Sequence, residues 1–290
     1  MDYQQHNYRL FFLFVAVMLT LAGCAPRMQK PLQICPGAES VDDVLSVLVA
    51  QSQDAVSLKA NGKCLARFYD TDGTNHKENF LIKLWFNPPA HIRLHGNVAF
   101  NPRGIDLGSN ESEYWLAMKP KEIGNSYFWG RWDDGVSFWG LKISPRILLE
   151  AVGIIEVDDR ENWSLSNEGT FDVLTERDEV GSIIKKIYTY NCDRRVRKIE
   201  YFGDNEQIAV ILELNEYRDI YKGASVPRVI KVISFNGDGT EDSFRITLDS
   251  IRRQDFSAKL HKALFTRPEP KGFKHVGRII AGEVVEQRQK

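Results

Sequence analysis

The 290-residue chain lacks most of what would mark an enzyme or a nucleic-acid binder. It has no excess of charge: 38 Lys and Arg stand against 39 Asp and Glu, for a formal net charge of −1. A chain so balanced carries no global field to draw in nucleic acid or anionic lipid. Its one basic knot, 194-RRVRK-198, reads as the solvated face of a strand. The sequence contains no G-x-S-x-G, H-E-x-x-H, Walker loop or G-x-G-x-x-G. Its histidines are scattered; His91 and His95 share a strand face but stand about 13 Å apart on an extended chain, too far to chelate one metal. The run 70-DTDGTNHKEN-79 lacks the glycine and glutamate spacing of a calcium loop and reads as a hairpin turn. These absences predict no catalytic residue, no metal and no cofactor.

Long apolar runs are also scarce, and one stands out. The stretch 10-LFFLFVAVMLTLA-22 follows a short polar start with a positive charge at Arg9. It is shorter than the roughly 20 residues a comfortable membrane span needs. A charged start, a short apolar centre and a small-residue ending describe a secretory signal peptide. The ending, 21-LAGC-24, resembles the bacterial lipobox, in which cleavage before the cysteine leaves a thiol that is diacylated. A plain signal peptide and an uncleaved anchor are the alternatives. Two or more acyl chains on Cys24 would anchor the chain stably, where one would hold it only marginally. Ala25, in place of an aspartate, resembles the pattern that releases lipoproteins to the outer membrane, so the periplasmic face of that membrane is the expected location. With residues 1–23 as signal peptide, Cys35, Cys64 and Cys192 remain, an odd number. Burial as small apolar residues and one disulfide both stay open.

The rest is 43% hydrophobic and 27% charged over the whole chain, enough for a packed core. Residues 24–39 carry Pro26, Pro31 and Pro36 and read as a tether able to reach about 50 Å. In 40-SVDDVLSVLVAQSQDAVSLK-59, Ser40 and Asp43 form a capping box, and Val41, Val44, Leu45, Leu48, Ser52, Ala55 and Val56 make one helical stripe. Strands follow. In 79-NFLIKLWF-86, Phe80, Ile82, Leu84 and Phe86 point one way. In 91-HIRLHG-96, Ile92 and Leu94 oppose His91, Arg93 and His95. Similar runs at 63–69, 113–118, 182–191, 194–202, 207–215, 226–235 and 243–249 are separated by turn signals and predict an antiparallel meander. The segment 144-SPRILLEAVG-153 has a serine cap, a proline at the first helical position and a glycine stop. The expected fold is therefore mainly β: a single large curved antiparallel sheet over residues 40–273, covered by one long and one short helix. Residues 274–290 read as a polar, loose tail.

In this order the elements resemble the superfamily of the periplasmic lipoprotein carrier LolA and the outer-membrane receptor LolB. The resemblance rests on the opening helix, 87-NPPAHIRLHG-96, 113-EYWLAMKPK-121, the short helix 144-SPRILLEAVG-153, 217-YRDIYKGASVPRVIKV-232 and 265-FTRPEP-270. It implies an unclosed, half-open β-barrel whose inside holds the acyl chains of lipoproteins or lipids. It implies no enzyme, and a periplasmic carrier protein as a candidate partner. Cys24 makes the chain more like the anchored receptor than the soluble carrier. The hairpin 97-NVAFNPRG-104, with Phe100 at its tip, stands where the receptor has a membrane-facing loop; a Phe packed locally is the alternative.

The stretch 126-SYFWGRWDDGVSFWG-140 gathers three of the six tryptophans just before the short helix. Trp129, Trp132 and Trp139, with Trp115, Phe80, Ile82, Leu84, Ile92 and Leu94, are the expected lining of a hydrophobic cavity. Whether the aromatic cluster lines that cavity or plugs the barrel stays open, because inward residues of a barrel do either. The competing function is an envelope assembly or scaffold lipoprotein with a packed barrel that docks a protein partner and takes no ligand.

Overall fold

In the computed structural model, which describes residues 34–69, 73–98, 101–119, 124–134, 144–157, 160–203, 206–280 and 283–286, the alternating segments form one sheet of fifteen strands. The strands are β1 (Leu58–Tyr69), β2 (Asn75–Asn87), β3 (His91–Val98), β4 (Asn101–Ser109), β5 (Glu113–Met118) and β6 (Ser126–Arg131). After a helix come β7 (Trp163–Glu168), β8 (Phe171–Arg177), β9 (Ile183–Tyr190), β10 (Val196–Phe202), β11 (Ile208–Tyr221), β12 (Ala224–Phe235) and β13 (Glu241–Arg253). The last two are β14 (His275–Ile280) and β15 (Glu283–Glu286). Their spatial order is β15-β14-β6-β5-β4-β3-β2-β1-β13-β12-β11-β10-β9-β8-β7, so two antiparallel meanders join where β1 pairs with β13. The end strands β15 and β7 do not pair with each other, and the barrel is unclosed.

The curvature follows from the core. One hydrophobic cluster takes Leu107 and Tyr114 from one half of the sheet and Leu174, Ile199 and Leu212 from the other. Strands so far apart in the order share a core only if the sheet bends round it. Two helices fill the hollow. In α1 (Val41–Gln53) the capping box forms, Ser40 Oγ accepting from Asp43 N at 3.2 Å and Asp43 Oδ2 from Ser40 N at 3.0 Å. Val44, Leu45 and Leu48 are buried. In α2 (Pro145–Ala151) Ser144 Oγ accepts from Ile147 N at 3.3 Å, and all its residues except Arg146 are buried. None of the helices among the described residues is long and apolar enough to cross a membrane.

Four expectations need correction. The first helix stops at Gln53, because Ser52 Oγ donates to Gly153 O at 3.0 Å and accepts from Ile155 N at 3.1 Å, tying the last turn to the chain after α2. Ala55 and Val56 lie beyond it. The tether ends earlier than residue 39: Cys35 is bonded to Cys192, and Ala38 N donates to the buried Asp172 carboxylate at 3.0 Å. Asp172 also takes Asn167 Nδ2 at 2.9 Å and the Arg194 guanidinium, so one carboxylate pins the incoming chain to β8 and the β9–β10 turn. The tail is not loose over 275–280, where β14 buries Val276 and Ile279 and pairs in parallel with β6, so the sheet is not wholly antiparallel. And a third helix, α3 (Ala258–Phe265), precedes it, capped by Ser257. Strands β4, β6, β7 and β8 also lie outside the runs that alternation marked.

Cys64 is the free cysteine among the described residues, and burial pushes its thiol up to about 12. Closing a loop between residues 157 apart should stabilise the fold by about 2–5 kcal/mol. Thiol titration of the unreduced, urea-unfolded chain starting at residue 25 should therefore find one thiol. The Cys35→Ser, Cys192→Ser double variant should unfold at lower urea by an amount in that range.

Candidate ligand cavity and the covered outer face

Two openings flank the seam between the end of α1 and the segment after α2. The larger, of about 640 Å³, lies between α1, α2 and strands β10 to β12. Leu58, Phe86, Val152, Val196, Leu214 and Val226 form its buried apolar wall. The β11–β12 turn edges it with Asp219, Tyr221, Lys222 and Gly223, and Tyr221 is 56% exposed. The second opening, of about 520 Å³, is bounded by Val49, Ser52, Pro88, Pro89, Ile154 and Val157; Ala55 and Ile155 line both.

The structure places the expected lining elsewhere. Phe80, Ile82, Leu84, Ile92 and Leu94 do share the inner face, but they lie within the main core and line neither opening. Their side chains and those of α2 fill that part of the barrel. The tryptophans divide between faces. Tyr114 and Leu116 look into the main core, so strand alternation turns Trp115 outward, and Trp129, its cross-strand partner, goes with it. Trp115 packs over Gly108, where a Cβ would meet the indole at 2.4 Å. Trp132 packs on the main core, its Nε1 donating to Asn110 O at 2.7 Å and its ring 4.8 Å from Tyr114. Trp139, Phe100 and Cys24 lie outside the described residues. The sequence reasoning missed Leu58 and Phe86 as cavity residues, although Phe86 ends the same alternating run and the two pair across β1 and β2.

The outward tryptophans are covered. After α3 the chain crosses β3 to β6 on the convex side, and Phe273 and Val276 close a second small core with Trp115, Ala117 and Tyr127. Arg93, which alternation sets on the face opposite Ile92 and Leu94, is the centre of this cover. Its Nη2 meets Asp106 Oδ2 at 2.5 Å and its Nε meets Oδ1 at 2.8 Å, while Nη1 donates to Leu264 O at 2.5 Å. Trp115 Nε1 adds a bond to Asp106 at 3.3 Å. Tyr127 Oη donates to Pro268 O at 2.6 Å, and Arg267 lies 4.2 Å over the Trp129 ring. His91 stacks edge-on against His261 of α3 at 4.6 Å.

A charged cluster lies behind the larger cavity. Glu150 of α2 accepts from Tyr201 Oη and from Lys185 Nζ, the latter at 3.3 Å; Lys185 also lies 3.5 Å from Glu176. Burial would lower the Lys185 pKa, but the two carboxylates more than reverse this and hold it charged. Burial, and then Glu150, raise Tyr201 well above its ordinary value, so it remains a donor. Among the described residues no three or more His, Cys, Asp or Glu side chains gather as metal ligands would.

No family model matches the sequence, and no curated protein matches it. Solved structures do resemble its fold. An outer membrane lipoprotein-sorting protein domain from Vibrio parahaemolyticus is 9% identical, with a TM-score of 0.51 over 78% of this chain and 97% of that one. A DUF1329 family protein from Desulfovibrio piger is 12% identical, with a TM-score of 0.50 over 78% of this chain and all of that one. A LolA superfamily protein from Nitrosomonas europaea is 12% identical, with a TM-score of 0.47 over 79% and 99%. The chain has a LolA/LolB-like fold; at such identities the likeness is one of fold alone.

The convex cover should make stability depend on pH in two steps. His91 is held below its ordinary value by burial and by His261, so the stability of its neutral form is lost as pH falls below about 6.5. Burial alone would raise Asp106, but hydrogen bonds from His95 and Arg93 and their charges bring it down to about 2. Its contribution, about 2 kcal/mol, is present above roughly pH 4 and lost as pH falls toward 2. Urea unfolding from pH 7.5 to 2.5 should show both steps. Asp106→Asn should remove the lower one and cost about 3–5 kcal/mol at neutral pH, since it strands a buried guanidinium.

Proposed function

We propose that the chain is a lipoprotein of the bacterial cell envelope, held on a membrane by acyl chains at Cys24, that binds an acyl chain of a lipoprotein or lipid and passes it on without catalysing a reaction. One observation carries the reading: beside the main core there is a cavity of about 640 Å³ whose wall is in part apolar. That volume lies within the range of small-molecule sites. The wall of Leu58, Phe86, Val152, Leu214 and Val226 would favour a hydrocarbon chain by about 0.8 kcal/mol per buried CH₂. Transfer would then follow the difference in affinity between this cavity and the next holder, for which a periplasmic carrier protein is the candidate. The ligand site is moved from the residues first expected to the mouth formed by α1, α2 and the β11–β12 hairpin. The fold and the 21-LAGC-24 tetrapeptide support the envelope setting.

A second reading keeps the anchor and drops the ligand. The burial of Phe80, Ile82, Leu84, Ile92 and Leu94 in the main core, away from both openings, favours a scaffold that docks a protein partner. One experiment separates the two. The soluble chain starting at residue 25 should carry lipid in native mass spectrometry or bind N-phenylnaphthylamine saturably, with displacement by long-chain amphiphiles. Ala55→Trp, which fills the seam between the two openings, should weaken that binding roughly tenfold or more. A chain that binds neither lipid nor probe would leave the scaffold reading standing. For the anchor, Cys24→Ser should move the protein from the membrane to the soluble fraction of the envelope; an unchanged distribution would overturn lipidation at that residue.

A further inference from the structure

The two ends of α3 are held to the sheet in different ways. Leu264 and Phe265, at its C-terminal end, are buried. That end is fastened by bonds that a mild change of pH leaves alone: Arg93 Nη1 donates to Leu264 O at 2.5 Å and to Thr266 O at 3.3 Å, and Asn110 Nδ2 to Phe265 O at 3.1 Å. Of residues Ala258 to Ala263, by contrast, His261 is the one that is not exposed. Its ring lies 4.6 Å from that of His91 and 5.0 Å from that of Phe265, and its Nε2 is 3.4 Å from Asn87 Nδ2. Asn87 and His91 pair across β2 and β3, at the two ends of the turn whose Pro88 and Pro89 bound the second opening. His261 therefore touches both ends of that turn, and the exposed part of α3 rests on the sheet through it.

His91 is a poor place for a positive charge. The residue is 8% exposed, and its Nδ1 is buried without a hydrogen-bond partner. A neutral imidazole can leave one nitrogen bare, whereas an imidazolium carries a donor on each. Charging His91 in place would thus bury a donor with nothing to accept it, which costs free energy. Two titratable groups bear on it from the elements packed around it. His261 of α3 opposes the charge, and Glu111, exposed in the turn between β4 and β5, favours it less strongly. On its own strand Arg93 is taken up by Asp106, which His95 also faces. With the exposed part of α3 lifted away, the His91 ring would meet water and take up a proton in the ordinary way.

We infer that His91 and His261 form an acid-released catch: on acidification the N-terminal part of α3 lifts from β3 about its fastened end at Leu264 to Thr266, freeing the Pro88–Pro89 turn while the sheet stays folded. A short helix end with few buried contacts belongs to the low-stability part of a fold, where opening can be local. The closed form is fully favoured above about pH 6.5. Below that the ratio of open to closed rises by up to about tenfold per pH unit, until His91 is charged in the closed form as well.

Hydrogen exchange read by mass spectrometry on the soluble chain from residue 25 tests the catch, comparing pH 7.5 with pH 5.5 after correction for the intrinsic exchange rate. Protection of peptides from α3, relative to peptides from β11 and β12, should fall about threefold to tenfold at the lower pH. His91→Phe keeps a ring against His261 and Phe265 but takes no charge, and it should remove the difference between the two pH values. His91→Gln, polar and uncharged, should do the same and serves if the phenyl ring disturbs the fold. Equal relative protection of α3 at both pH values, or a fall that survives in these variants, would overturn the catch. So would a fall shared by β11 and β12, which is acid unfolding of the whole sheet and not a local release.

Discussion

The apolar inner face of one very long sheet is the constraint from which the rest follows. Fifteen strands present more hydrophobic surface than either helix could cover if the sheet lay flat. Burying that surface is worth about 25 cal/mol per Å², so the sheet bends until strands from its two halves share a core. Helix α2 then enters the hollow almost entirely buried, and α1 lies across its end. The space left over is where these two helices and the β11–β12 hairpin meet imperfectly. The cavity is thus a product of the covering, and its wall combines apolar strand residues with the polar end of a helix that has nowhere else to go.

Covering one face of β3 to β6 left the other, and the chain uses its C-terminal segment for that. Arg93 makes this possible because its guanidinium serves two partners at once. Two nitrogens pair with Asp106 on the neighbouring strand, and a third reaches the backbone carbonyl of Leu264 at the end of α3. The charge is balanced and the helix end is satisfied by the same side chain. The arrangement brings Trp115, Trp129 and Tyr127 under cover and sets Phe273 against them, so aromatics that look in the sequence like one cluster serve two cores.

At the N-terminal side a single buried carboxylate does similar work. Asp172 takes donors from Ala38, Asn167 and Arg194, and the Cys35–Cys192 bond lies next to it. Cys35 and Ala38 are therefore fixed beside the β9–β10 turn, the same region whose Asp193 and Arg195 help line the larger cavity.

Much of the fold was legible in the residues. The alternation of 79–86 and 91–96, the capping residues Ser40 and Ser144, and the glycine after α2 are local signals, and each element they announce is present. The third helix escaped because 258-AKLHKALF-265 spans only about two turns, too few repeats for its apolar positions to stand out as a stripe. Strand β14 escaped because 275-HVGRII-280 buries residues against β6, some 150 positions earlier in the chain.

The candidate site was less legible, for a geometric reason. Period-two alternation tells which residues share a face of a strand, and it assigned Phe80, Ile82 and Leu84 correctly to one face. It does not tell whether that face meets a helix or empty space, nor which side of the sheet a neighbouring strand's aromatics take. Sequence alone determined the curved β-architecture, its two principal helices and the lipobox-like start, since these depend on spacing within a few residues. Tertiary structure alone decided the position of the cavity, the burial of Arg93 and Asp106, the pairing of Cys35 with Cys192 and the meeting of Glu150 with Lys185 and Tyr201. Each of these is a meeting of segments far apart in the chain, and no local pattern encodes which surfaces will meet.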